Sequence, residues 1–184
     1  MSRSSNGSAL ISEMAVAQNP LRLRAQPLTA EAFAPFGSLA AIGAGGGRAV
    51  NQDRGRRVPG IGDLVRDAAA TRPVLDVYHL KPSPLPFTLA CFERHVLTSQ
   101  VFIPIRCERL LLAVAPDGAD GKPDAARAQA FVAGDDVMIH YRAGAWHSPL
   151  IALDGSAVLS MLMWEAGDAR DCEEVVPPMT IEIV

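Results

Sequence analysis

From residue 74 onward the chain is a succession of short apolar or alternating segments. They fall at residues 74–80, 87–95, 101–105, 110–115, 128–132, 137–141, 150–153, 157–164 and 180–184, with Pro, Gly, Asp and Lys in the gaps. Segments of this length and period read as strands, and their close spacing reads as an antiparallel sandwich or barrel. The expected class is therefore all-β, with a few short helices. No sustained 3.6-residue period and no alternation of strand and helix is present, which excludes a helical bundle and a nucleotide-binding doubly wound sheet. A chain of 184 residues with 49% hydrophobic and 20% charged side chains buries roughly 70% of its unfolded surface, enough for one core without staples.

The first part of the chain is organised differently. Residues 1–20 are rich in Ser, Asn and Gly and are expected to form a flexible, dispensable leader, leaving residues 21–184 as a single domain. Residues 21–25 alternate apolar and charged, as a half-buried strand does. Thr29 is placed to cap a short helix through Glu31, Ala32 and Phe33, with Gly37 beyond its end. Residues 44–47 read as a turn, since no Lys-Ser or Lys-Thr follows to make a phosphate cradle. Arg48, Arg54, Arg56 and Arg57, with Asp53 among them, read as a solvated loop or as arginines for a carboxylate ligand. Residues 63–70 are expected to form one short helix.

Charge and cysteine usage narrow the class further. The 17 basic and 20 acidic residues give a net charge of −3, poor for general nucleic-acid binding. The longest uncharged apolar run is Leu110–Ala115, far short of the ~20 residues of a membrane span. No apolar block marks a secretory signal. Cys91, Cys107 and Cys172 show no Cys-x-x-Cys spacing, so neither a zinc cluster nor a disulfide framework is indicated, and a reducing cytoplasm is expected.

Four histidines are present, His79, His95, His140 and His147. His79 and His140 read as structural. In Phe92-Glu93-Arg94-His95 the strand period of two sets Glu93 and His95 on one face and Arg94 on the other. Gln100 opens the next strand. Much later, Gly144 permits a tight turn before Trp146 and His147. Inside a barrel, side chains of different strands converge. An interior Glu, two His and an amide there are candidate ligands for a divalent metal with positions left open.

These same residues resemble a known family. Glu93-Arg94-His95, then Ser99-Gln100-Val101-Phe102-Ile103-Pro104, then Ala130-Phe131-Val132-Ala133-Gly134, then Gly144-x-Trp146-His147-x-Pro149, look like the ureidoglycolate lyases. The opening stretch Leu28 to Gly37 and Cys172 are similar as well. The resemblance covers residues 21 to 184, and its order and spacing agree together.

The resemblance implies a cupin-type antiparallel barrel or jelly roll, usually a homodimer, that splits ureidoglycolate into glyoxylate and urea. It implies Glu93, His95 and His147 as catalytic residues, and Glu93, His95, Gln100 and His147 as the metal set. Nickel is the metal the family suggests, with zinc or manganese fitting the same donors. Arg94, Gln100, Tyr141, Arg142 and Trp146 are the implied substrate contacts. The chain departs from the family around the site. His140-Tyr141-Arg142-Ala143 stands for the usual Asn-Tyr-His-Arg, Ser148 for a second His, and Trp164-Glu165 for an Asp-Arg pair. Two alternatives stay open at this stage: a diverged cupin acting on another small hydroxy or keto acid, and a non-catalytic barrel that binds a small acid.

Overall fold

A computed structural model describes residues 19–43, 46–58 and 62–184. The expected leader lies almost wholly outside the described residues. The elements are, in order, β1 (Leu21–Leu23), β2 (Gln26–Pro27), α1 (Ala30–Phe33), β3 (Gly37–Ala41), β4 (Arg48–Val50), β5 (Gly55–Arg57) and β6 (Arg72–Leu80). There follow β7 (Phe87–Thr88), β8 (Phe92–Arg94), β9 (Gln100–Arg106), β10 (Arg109–Ala115), a 3-10 turn (Ala125–Arg127) and β11 (Gln129–Ala133). The chain ends with β12 (Val137–Tyr141), β13 (Trp146–His147), β14 (Ile151–Leu153), β15 (Ala157–Glu165), β16 (Glu173–Val175) and β17 (Ile181–Ile183). The all-β class expected from the alternation is the class the structure has.

Two sheets build the barrel. One runs β3-β12-β9-β15-β6, antiparallel throughout. The other runs β16-β8-β13-β10-β11-β2, with β14 also paired to β10. Between them lies an inner core that takes Phe102, Ile139, Tyr141, Leu159, Met161 and Met163 from the first sheet and Leu110, Leu112, Val114 and Phe131 from the second. A smaller sheet, β1-β17-β7, covers the other face of the second sheet. There Ile181 and Ile183 join Leu111, Ala113, Ala115, Phe92 and Trp146 in an outer core. The run Leu110–Ala115 thus alternates between two cores, and none of its residues is more than 2% exposed. Burial on both faces is why this strand is apolar without interruption.

Short-range signals hold at the N-terminal end. The Thr29 hydroxyl accepts from the Ala32 N–H at 3.2 Å and caps α1. Gly37 opens β3 where a Cβ would collide with the His140 carbonyl oxygen across the β3–β12 ladder, so only glycine lets these backbones approach.

Four local expectations are corrected. Residues 63–70 form no helix: the Val65 carbonyl accepts from the Ser99 N–H and the Asp67 N–H donates to Leu97, so the backbone pairs with the distant 97–99 turn and keeps one local turn, Ala70 N–H to the Asp67 carbonyl. The expected strand 87–95 is two strands in different sheets, β7 on β17 and β8 between β13 and β16. The arginine-rich loop is a hairpin, β4 against β5, turned by Asn51, Gln52 and Asp53 at positive φ. Strands β3 and β16 also form where no alternation marked them, through long-range pairing with β12 and β8.

The burial pattern makes a stability test. Leu112→Ala, at 0% exposure in the inner core, is expected to lose about 2–5 kcal/mol. Val176→Ala, at 76% exposure, is expected to stay within about 0.5 kcal/mol. Urea denaturation of both variants checks the contrast.

Candidate metal-binding site

The site grows from one strand pair. In the antiparallel β8–β13 register His147 stands directly opposite Glu93, so their side chains share a face, and His95 shares it by lying two residues beyond Glu93. Gly144 makes the preceding turn at φ +76°, and its N–H donates to the His95 carbonyl at 2.9 Å. That bond ties the second motif to the first. The nitrogen and oxygen atoms that Glu93, His95 and His147 offer lie within 4.8 Å of one another. Glu93 Oε1 is 3.5 Å from His147 Nε2.

Both imidazoles are held from behind. His95 Nδ1 lies 2.7 Å from the Asp171 carbonyl and His147 Nδ1 lies 2.8 Å from the Ala145 carbonyl. A carbonyl only accepts, so each Nδ1 carries a hydrogen and each ring turns its Nε2 to the site. Both Nε2 atoms are buried without a hydrogen-bond partner, and the Glu93 carboxylate faces that of His147. Carbonyl backing of this kind is how proteins orient imidazoles toward metals.

Gln100 follows the same logic. It stands opposite Tyr141 in the β9–β12 register, and the Tyr141 ring is stacked on His147 at 4.0 Å and 13°. Gln100 Nε2 donates to the Met163 sulfur at 3.6 Å. Sulfur only accepts here, so Oε1 is the atom presented, and it too is buried without a partner. The atoms that Glu93, His95 and His147 bring together can each donate an electron pair. The Tyr141 hydroxyl, also buried and unpartnered, is the group in this set that brings a hydrogen. Buried electron-pair donors gathered at one point are what a bound cation resolves.

Electrostatics agree with that reading. Burial and the neighbouring His147 push His95 below the ordinary imidazole value, which keeps Nε2 bare at neutral pH. Burial raises the Glu93 carboxyl, but its contact with His147 and the neighbouring His95 outweigh it, and Glu93 ends below the usual carboxylate value. Burial, and then the Glu93 charge, push the Tyr141 phenol up, so it stays protonated. A pocket of about 290 Å³ adjoins the triad, with Glu93 among Tyr78, Leu80, Phe102, Leu150 and Leu159.

Three implied substrate contacts lie elsewhere. Arg94 points to the opposite face of the sheet, 2.7 Å from Glu173. Trp146 lies on that face too, with the Arg94 guanidinium 4.3 Å from its ring. Arg142 is exposed and donates to the Pro35 carbonyl at 2.7 Å. The structure also shows contributors that the sequence reading missed. The Asp171 carboxylate accepts from the N–H groups of Ala166, Gly167 and Asp168, which folds the loop so that its carbonyl meets His95. An acidic residue closing a Gly-Asp turn was the signal available. Cys172 and Glu174 gather with Glu93 at the rim.

Comparison with known proteins adds an independent line. The family model described as ureidoglycolate lyase matches residues 20–184. The chain is 35% identical over 155 residues to a ureidoglycolate lyase of Burkholderia cepacia, covering 83% of this chain and 85% of that one. It is 32% identical over 182 residues to one of Schizosaccharomyces pombe, covering 88% and 95%. The chain belongs to the ureidoglycolate lyase family. Among solved structures it is distantly similar to a dTDP sugar isomerase of Desulfovibrio desulfuricans, at a TM-score of 0.43 and 16% identity over 78% of this chain and 83% of that one.

Departures from the family pattern take structural roles here. The Ser148 hydroxyl, fully buried, accepts from the Ala113 N–H at 2.9 Å in the wall behind His147. Glu165 pairs with Arg72 across the β15–β6 ladder. For this lyase-family site, His95→Ala and His147→Ala are each expected to weaken retention of a divalent ion by about 100-fold or more, while circular dichroism stays that of the unaltered chain. Equilibrium dialysis followed by elemental analysis measures the retention.

Proposed function

We propose that the Glu93–His95–His147 face is where this ureidoglycolate lyase family member splits ureidoglycolate into glyoxylate and urea. The observation that carries the assignment is the convergence of three fixed electron-pair donors beside a mostly apolar pocket. Ureidoglycolate is a hemiaminal with a carboxylate. Loss of urea needs the hydroxyl proton removed, the leaving nitrogen protonated and the carboxylate held.

The donors fit a divalent metal, with Glu93, His95 and His147 as ligands and Gln100 Oε1 as a fourth. Nickel, zinc and manganese all suit imidazole and carboxylate donors. Such an ion supplies Lewis acidity, which makes a hydroxyl proton easier to lose. The chain's own groups do the rest. The carbonyls of Asp171 and Ala145 hold the imidazoles in one tautomer. Glu93, ionised at neutral pH, accepts hydrogen bonds from substrate. Tyr141, kept protonated, donates one. Leu80, Phe102, Leu150 and Leu159 exclude water from the pocket.

We further propose a homodimer and a cytoplasmic setting. Strand β6 is nine residues long and ends its sheet, with Leu75 at 70% and Val77 at 56% exposure. A long apolar edge of this kind favours pairing with a second copy. All three cysteines are free, as a reducing compartment keeps them. No helix among the described residues is long and apolar enough to cross a membrane.

A glyoxylate-coupled assay on ureidoglycolate, with a no-enzyme control for spontaneous decay, tests the reaction. His147→Ala is expected to lower turnover by about 10²–10⁴-fold. Metal-stripped protein is expected to lose activity and regain it with one of the three ions. Full turnover by His147→Ala overturns its assigned role. For the dimer, light scattering on Leu75→Glu is expected to give the mass of one chain where the unaltered protein gives two.

A further inference from the structure

We infer that Arg94 and Trp146, on the far side of the sheet from the ligands, are positioning residues that set the spacing of Glu93, His95 and His147. The inference rests on the metal-site reading above. It starts from register. His147 opposes Glu93, and one further step along the same antiparallel pair sets Trp146 opposite Arg94 on the other face. The cross-strand pair behind the sheet is therefore the reverse side of the ligand pair in front.

Backbone pairing alone holds this region loosely. Strand β13 is two residues long and β8 is three. The Arg94 side chain spans the gap between elements. Its guanidinium lies 4.3 Å from the Trp146 ring. Its Nε and Nη2 meet Glu173 Oε2 at 2.7 Å, and Nη1 is 3.5 Å from Asp117 Oδ1. Trp146 is 2% exposed and the Arg94 side chain 22%, so these contacts are partly withdrawn from water and stronger than on an open surface.

Each contact leads to a ligand. Trp146 precedes His147 in the chain. Glu173 stands opposite Arg94 in the β8–β16 ladder, two residues after Asp171, whose carbonyl takes the hydrogen of His95 Nδ1. Glu93 and His95 flank Arg94 directly. One planar fork thus couples β8, β13 and β16 and the turn after β10. A lysine has a single charged centre and reproduces neither the fork nor the flat face over the indole.

The test uses cobalt(II) titration of the metal-stripped full chain, read by its visible ligand-field absorption. Arg94→Ala and Arg94→Lys are expected to bind cobalt about 10–100-fold more weakly, as loss of groups behind a ligand does, and with shifted bands. Glu173→Gln loosens the same fork from outside the core and is expected to shift the bands in the same direction, which covers poor folding of Arg94→Ala. Arg109→Ala, which removes an exposed pair with Asp154, is expected to leave affinity and spectrum unchanged. Arg94 variants that match the unaltered protein within about twofold, with the same bands, overturn the inference and leave the metal site standing. Equal loss in Arg109→Ala also overturns it, since general destabilisation then explains the effect. Failure of the unaltered chain to bind cobalt overturns the metal reading and this inference together.

Discussion

Strand β10 is buried on both faces, and the rest of the molecule is arranged to permit it. Leu110, Leu112 and Val114 face the inner core, and Leu111, Ala113 and Ala115 face the outer one. A strand covered on one side only would leave half of this run in water, at about 25 cal/mol for each Å² of apolar surface. The five-stranded sheet covers one side and the small sheet of β1, β7 and β17 covers the other. β10 also pairs with β13 through Val114 opposite His147 and Ala115 opposite Trp146. This long buried strand is thus the neighbour that holds the site's second histidine.

That placement explains how the site tolerates its own polarity. Bare nitrogen and oxygen atoms in an apolar interior are costly, on the order of 1–3 kcal/mol for each lost partner. Here the atoms of Glu93, His95 and His147 are concentrated at one point, and the Nδ1 hydrogens of the two imidazoles are spent elsewhere. His95 and His147 give theirs to carbonyls and Gln100 gives one to Met163. The cost is carried by packing in the two cores. The Tyr141 ring stacked on His147 adds rigidity where ligand direction matters.

The two faces of the β8–β13 pair divide the labour. The inner face carries Glu93, which lines the pocket, with His147 opposite it. The outer face pairs Arg94 with Trp146 and Glu173. A guanidinium on the inner face would repel the cation that the donors favour. Turned outward, it braces the strands instead. Substrate-carboxylate anchoring by Arg94 is therefore a role the geometry does not favour, and Arg142, occupied by the Pro35 carbonyl, is placed no better.

Alternation is a local property, so the chain alone determined the strand class, the shared face of Glu93 and His95, the opposite face of Arg94 and the cap at Thr29. Each depends on residues within a few positions of one another. The family motifs supplied Gln100 and His147 by pattern. Which strands become neighbours is set by global packing, where contacts between residues dozens of positions apart compete, and only the tertiary structure decided that. It split residues 87–95 between two sheets because β17 and β13 each claimed part of the run. It unwound residues 63–70 because the 97–99 turn offered them backbone partners. It brought the Asp171 carbonyl under His95 across 76 positions of chain, a pairing that the local turn around Asp171 does not specify. The register that opposes His147 to Glu93 on one face and Trp146 to Arg94 on the other has the same origin.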